Sequence, residues 1–102
     1  MAIKRGTTPT HTIVTDVDLR DAEEIYVTYE QNSYNLIEKR KEDLEEILED
    51  RLIVKLTQEE TLRFKERGKI EIQIRALFGD GSALKSNVME TNADRLLKKG
   101  VI

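Results

Sequence analysis

The 102-residue sequence contains no cysteine and no tryptophan, one proline and five glycines. Without cysteine it can form neither disulfides nor thiolate metal sites and has no thiol nucleophile, which fits a reducing cytosol. No apolar run approaches the roughly 18 residues of a membrane span, so we expect no membrane partner. Residues 1–5 carry two charges without a following apolar stretch, so we expect no secretory signal.

The sequence also lacks a large excess of either positive or negative charge. Charged residues make up 36% of the chain, but 17 basic residues face 20 acidic ones, for a net charge of -3. Proteins that bind nucleic acids through phosphates usually carry a basic excess, so we expect no nucleic-acid partner. The hydrophobic content of 38% is sufficient for one modest core, and the length corresponds to one domain.

Alternation of apolar and polar residues predicts an all-β fold. The alternation is clearest over residues 24–30 and 69–78. The segment 40–50 has the composition of a helix, but its surroundings favour a short strand at 44–48. Asp80-Gly81 predicts a type I′ hairpin turn. Further strands are predicted at 8–17, with proline marking an edge strand, and at 34–39, 51–57 and 83–90.

Two short helices are expected among these strands. Thr57 and Glu60 have the spacing of a capping box, which predicts a helical connector near residues 58–64. A weaker capping box at Thr91, with Gly100 suited to a helix end, predicts a C-terminal helix over 92–98.

The predicted elements indicate an immunoglobulin-like antiparallel β-sandwich. They comprise about seven strands, with a helical link before a long strand and a final hairpin. Residues 1–7 are polar and lack a period, which predicts a flexible N-terminal arm, followed by a single domain over 8–102. The predicted core comprises Ile25, Val27, Leu52, Val54, Leu56, Phe64, Ile70, Ile72, Ile74, Leu84 and Val88.

No motif in the sequence indicates catalysis. His11 is the single histidine and has no cysteine or acid close by in sequence, whereas a triad or metal cluster needs further partners. Paired glutamates such as Glu59-Glu60 are typical of helix caps and solvated surfaces. Asp16, Asp18 and Asp21 alternate as calcium ligands do, but the loop lacks the glycine and glutamate of an EF-hand, which favours a charged turn. We therefore expect no enzyme, no metal site and no cofactor.

Two places are candidates for protein contact. One is the predicted edge strand over residues 8–17, with Thr10 and Thr12 on its outward face. The other is the outward face of the next strand, with Tyr26 and Thr28, because exposed tyrosine is common at interfaces. The apolar end at Leu96, Leu97, Val101 and Ile102 would either fold back on the domain or dock on a neighbouring subunit.

The segment LTQEETLRFKERGKIEIQIRALFGDGSALKSN, with the end Gly100-Val101-Ile102, resembles short uncharacterised proteins encoded by phages and prophages of Gram-positive bacteria. The string Leu56-Thr57-Gln58-Glu59-Glu60-Thr61 is also similar to segments of N-terminal β-sandwich domains in phage tail and baseplate proteins. The likeness spans residues 8–102, although 40–50 is more charged than expected of that family. No catalytic residues follow from it.

The resemblance implies a non-enzymatic phage or prophage protein that acts through protein–protein contacts. Its expected role is a virion component of the tail or baseplate, or an assembly component. The alternative is a cytosolic phage protein that binds and modulates a host factor. The expected partner is a protein, either a further copy of the chain or another phage protein, and the expected location is the virion or the host cytoplasm.

Overall fold

The computed structural model describes residues 2–86, 89–93 and 101–102. This part of the chain is folded mainly as antiparallel strands in two sheets, which confirms the all-β class. The strands are β1 (Ala2–Ile3), β2 (Thr10–Val14), β3 (Ala22–Gln31), β4 (Tyr34–Arg40), β5 (Glu46–Ile47), β6 (Arg51–Lys55), β7 (Lys69–Phe78), β8 (Ala83–Lys85) and β9 (Met89–Ala93). A helix α1 (Gln58–Thr61) and a 3₁₀ turn at Lys41–Asp43 complete the described elements.

The larger sheet has the strand order β1-β9-β7-β3-β4, and β8 pairs with β7 beside β9. The smaller sheet has the order β2-β6-β5. Neighbouring strands are antiparallel except for β1 and β9, which pair in parallel. The two long strands β3 and β7 form the centre of the larger sheet, because each alternates over ten residues and can pair along its whole length.

The core lies between the inner faces of the two sheets. Val27 is the register partner of Ile74 in the larger sheet, and Leu52 and Val54 face them from the smaller one. Of the predicted core residues, Leu84 is only partly buried and Val88 lies outside the described residues, whereas the others are buried. The core also contains residues that the prediction did not include: Ile3, Ile13, Leu19, Ala22, Tyr29, Ile37 and Ala76.

The segment predicted as a flexible arm is partly incorporated into the fold. Ile3 belongs to β1 and its side chain is 1% exposed. The Gly6 N–H donates to Thr61 Oγ1 (3.0 Å), and that hydroxyl donates to the Thr7 carbonyl (3.0 Å). The prediction of a loose segment over residues 1–7 is therefore wrong for Ile3 and Gly6, because long-range pairing that leaves no local pattern holds them.

The strands predicted at 24–30 and 34–39 form the hairpin of β3 and β4, and its turn has the two positive φ angles that were expected at Asp80-Gly81. Asn32 and Ser33 both have positive φ (54° and 67°), as a type I′ turn requires. At Asp80-Gly81 only Gly81 has positive φ, and the Gly81 N–H donates to the Phe78 carbonyl. That hairpin also forms, but its turn is not type I′.

The strand alternative for residues 40–50 is confirmed in a shorter form. β5 covers Glu46–Ile47 and pairs with β6, after the 3₁₀ turn that starts the segment. The predicted capping box is present, since Glu60 N–H donates to Thr57 Oγ1 (3.1 Å) and Thr57 N–H donates to Glu60 Oε1 (2.9 Å). The helix α1 that follows occupies the first four residues of the predicted connector.

The C-terminal part differs from the prediction. The expected strand at 83–90 is divided into β8 and β9, both paired with β7. Residues 92–93 belong to β9, so the predicted helix over 92–98 is wrong at its start, and residues 94–100 lie outside the described residues. The Ile102 N–H donates to Gln58 Oε1 (2.9 Å), which places the end of the chain beside α1.

Candidate protein-binding edge

The predicted contact residues lie on two separate surfaces. Thr10 and Thr12 point outward from the smaller sheet, because the alternate residues of β2 face the core. Tyr26 and Thr28 point outward from the larger sheet, on the opposite side of the core. The structure therefore does not bring the four residues together into one site.

Strand β2 is an open edge in the described part of the chain, because it pairs with β6 alone. The Leu56 N–H donates to the Pro9 carbonyl (3.0 Å), and the Thr15 N–H donates to the Asp50 carbonyl (2.8 Å). Backbone groups of successive residues in a strand point to opposite sides. The odd-numbered residues therefore bond to β6, and the backbone groups of Thr10, Thr12 and Val14 point away from the sheet.

The same three residues present an uncharged outer surface. Thr10 and Thr12 are exposed, and Val14 is 74% exposed. All three are β-branched, a side-chain type that packs well across strand pairs. We call this set, backbone and side chains together, the β2 edge. The sequence prediction included Thr10 and Thr12 but missed Val14, although the alternation places it on their face.

A depression of about 360 Å³ adjoins the Val14 end of the β2 edge. Val14 and Val17 line it from one side, and Leu84 and Met89 from the larger sheet. Val17 is 46% exposed, so apolar surface continues from the edge into the depression. Binding by strand addition uses two components: unpaired backbone groups, which form hydrogen bonds with the added strand, and adjacent pockets, which accept its side chains.

The inward face of β2 is fixed by a buried polar pair. His11 Nδ1 lies 2.8 Å from the Tyr29 hydroxyl, and the two side chains are 8% and 0% exposed. Burial lowers the pKa of His11 below its usual value of 6.5, and burial followed by the nearby charge of Glu60 raises the pKa of Tyr29. His11, for which the sequence offers no catalytic or metal partners, connects β2 to the larger sheet through this contact.

The outer face of the larger sheet is different in chemistry. A depression of about 380 Å³ is lined there by Tyr26 and Thr28 together with charged groups. Three carboxylates and one guanidinium contribute to it: Glu30, Glu38, Glu71 and Arg75. The Arg40 guanidinium lies 5.8 Å from the centre of the Tyr26 ring, in a cation–π contact. Tyr26 is half-buried, and this face offers no free backbone groups.

The acidic loop after β2 is organised by an ion pair. The Arg20 guanidinium binds both carboxylate oxygens of Asp18, with the shortest contact at 2.6 Å. This hydrogen bonding lowers the pKa of Asp18 to about 2. Among the described residues, no group of three or more potential ligands is arranged to hold a metal ion. Within the same residues, no helix is long and apolar enough to cross a membrane.

Comparison of the chain with protein-family models, with curated proteins and with solved structures finds no match. The candidate site therefore depends on the geometry of the β2 edge.

Proposed function

We propose that this chain is a non-enzymatic protein that acts through protein–protein contacts, and that the β2 edge is its binding surface. The observation that carries the proposal is the open strand itself, whose outward backbone groups lie beside exposed Val14 and Val17. Natural proteins usually protect such edges with charges, bulges or covering segments, since an unprotected edge pairs with other chains. An unprotected edge next to apolar surface is explained by a partner that covers it.

We further infer that the fold is an immunoglobulin-like sandwich. The order β2-β6-β5 corresponds to strands B, E and D of that fold, and β9-β7-β3-β4 corresponds to G, F, C and C′. In the constant-type arrangement, strand A pairs beside strand B. Here β1 pairs with β9 instead, so β2 has no second strand beside it within residues 2–86 and 89–93. The pairing of β1 with β9 thus coincides with the open strand that we propose as the binding surface.

As the biological setting we propose a phage or prophage, with the chain a component of the virion tail or baseplate, or of its assembly. The support is the sequence resemblance over residues 8–102, together with a small rigid β-domain suited to repeated contacts. The test is to induce the prophage in the organism that encodes the chain, purify the particles and quantify the chain by mass spectrometry.

Several copies per particle, retained after a high-salt wash, would support the virion role. Absence from the particles combined with abundance in the lysate would overturn that role. The second result would instead favour the cytosolic modulator of a host factor.

A further inference from the structure

We infer that the partner of the β2 edge is a second copy of this chain, bound through the same strand in antiparallel orientation about a two-fold axis at Thr12. The inference rests on the proposed function, because it names the occupant of the proposed binding surface. It goes further in fixing the symmetry, the register and the residues that meet.

The register follows from the backbone. Thr10, Thr12 and Val14 direct their N–H and carbonyl groups outward, with Thr12 in the middle. If two copies align antiparallel with Thr12 opposite Thr12, then Thr10 of each copy lies opposite Val14 of the other. Every outward group of the three residues then meets a complementary one, because directly opposed residues in an antiparallel pair exchange both hydrogen bonds. If the register were shifted by one residue, the outward N–H and carbonyl groups of one copy would lie opposite residues whose backbone groups point toward β6. These hydrogen bonds between the copies could then not form.

The side chains permit the same arrangement. The strand has no charged residue on its outer face, so its self-pairing places no like charges opposite each other. The cross-strand pairs would be threonine with threonine and threonine with valine, all β-branched. A strand made of such residues is compatible with its own copy, as a two-fold interface requires.

The charges around the strand favour the antiparallel orientation. Lys55 lies opposite Thr10 on β6, and Asp16 follows two residues after Val14. Neither has an ion pair among the described residues, whereas Arg51 at the Val14 end is already bound to Asp50 (2.9 Å). Antiparallel pairing brings Asp16 of each copy toward Lys55 of the other, whereas parallel pairing would bring Asp16 toward Asp16 and Lys55 toward Lys55.

The depression beside Val14, whose lining includes apolar side chains as well as Asp16 and Lys85, enlarges the contact. Antiparallel pairing brings Thr8 and Pro9 of one copy to the Val14 end of the other, where Val14 and Val17 are exposed. The strand pair alone is smaller than a standard protein interface, so this additional apolar burial is needed for a stable dimer. We expect dissociation in the micromolar range, which analytical ultracentrifugation from micromolar to millimolar concentration would detect.

The absence of cysteine makes a direct test of the register available. In Thr12→Cys, the two thiols of a dimer would face each other at about 5.5 Å between Cα atoms, a separation that a disulfide spans. We expect disulfide dimers to form faster and more completely under mild oxidation than in a variant with a cysteine elsewhere on the surface. Asn35→Cys is the matched control, because it replaces an exposed polar residue on the other long edge strand, β4.

Two further variants test the neighbouring positions. Thr10→Cys and Val14→Cys should each cross-link slowly alone and rapidly when mixed, because residue 10 faces residue 14 of the partner. Thr12→Lys should weaken the dimer of the full chain at least ~10-fold by placing two ammonium groups together, whereas Asn35→Lys should not weaken it. Far-UV circular dichroism confirms that each variant is folded.

A monomer at all concentrations, with Thr12→Cys and Asn35→Cys oxidising at the same rate, would overturn the self-pairing. Rapid cross-linking of Thr10→Cys alone would overturn the register. These results are separable from those on the proposed function: a monomeric chain found in purified particles would retain the virion role and lose the self-pairing. A dimeric chain missing from particles would do the reverse.

Discussion

The two sheets each expose one long edge strand, β2 and β4, and the chain treats these strands differently. β4 carries Glu38, Lys39 and Arg40, and its pairing with β3 is interrupted by a register shift at Leu36. The segment after β6 also covers it: Arg63 donates to the Leu36 carbonyl (3.1 Å). Among the described residues, β2 has none of these protections, and a single proline precedes it.

The connector between β6 and β7 covers β4. The covering therefore depends on contacts that form only in the folded chain. Lys39 Nζ binds Glu60 Oε1 at 2.8 Å, with both side chains largely buried. At the other end of the connector, the Gln31 amide bonds twice to the backbone of Lys65 (2.6 and 2.8 Å). Among the described residues, the fold therefore covers the edge strand β4 and leaves the edge strand β2 open.

The largest expected effect comes from loosening the connector at Gly68. A Cβ atom there would lie 2.2 Å from Gln31 Nε2, which is buried and hydrogen-bonded and therefore cannot move without losing its partners. We expect Gly68→Ala to lower the free energy of unfolding by about 2–3 kcal/mol in urea titration. Hydrogen exchange should also rise at β4, which would then resemble β2.

The control is Gly79→Ala. Its added Cβ would meet the exposed Glu23 side chain at 3.3 Å, so we expect a change within about 0.5 kcal/mol. Equal stability of Gly68→Ala and the wild type would show that Gln31 does not hold the connector as described.

A smaller effect is expected at Glu60, whose carboxylate both caps α1 and binds Lys39. We expect Glu60→Ala to lower the free energy of unfolding by about 2 kcal/mol, from loss of the cap and of a largely buried ion pair. Burial raises the pKa of Glu60, but the bonds from Lys39 and Thr57 outweigh it and lower the pKa below 4.5. The contribution is therefore present at neutral pH and is lost as the pH falls below 4.5.

Glu59→Ala removes the adjacent exposed acid of the same helix and serves as the control for Glu60→Ala. We expect it to change the free energy of unfolding by less than about 0.5 kcal/mol. If both variants were equally stable at pH 7, the Lys39–Glu60 pair would not contribute to the covering of β4.

The mildest perturbation is acid acting on β2 through His11. Burial lowers the pKa of His11 in the folded chain below the unfolded value of 6.5. The unfolded chain thus binds a proton more readily as the pH falls through 6.5, and the free energy of unfolding decreases until the lowered pKa is reached. Above about pH 7.5, His11 should make no pH-dependent contribution to the free energy of unfolding.

Urea titrations between pH 7.5 and 5 measure this decrease, and His11→Gln provides the comparison because glutamine does not titrate. An identical pH dependence in both proteins would mean that His11 is not held neutral in the fold. The pH window lies above that of Glu60, so the two groups can be distinguished in one series.

Local signals in the sequence were sufficient for much of the fold. The alternation of residues 69–78, the hairpin of β3 and β4, and the capping box at Thr57 depend on neighbours within a few positions, and the structure has all three. The predicted edge strand likewise contains the β2 edge. For these elements, the structure favoured by periodicity and capping chemistry is the same as the structure favoured by tertiary packing.

Features that depend on contacts between residues far apart in the sequence could not be predicted from local patterns. Ile3 is buried through pairing with the other end of the chain, and Thr61 through bonds to residues 6–7. The side chains of Thr10, Thr12, Tyr26 and Thr28 point outward, but no local pattern shows that the two pairs lie on opposite sides of the core. The openness of β2 itself depends on where β1 pairs, which alternation does not encode.

The parallel pair of β1 and β9 also has a consequence for the order of folding during synthesis. Ile3 emerges from the ribosome 90 residues before its register partner Ala93. Until then β1 has no sheet to join, and closing so long a loop is slow. We therefore expect the central hairpins to assemble first and β1 to dock last, so that the Ile3 side chain is exposed in the nascent chain and buried only in the folded domain.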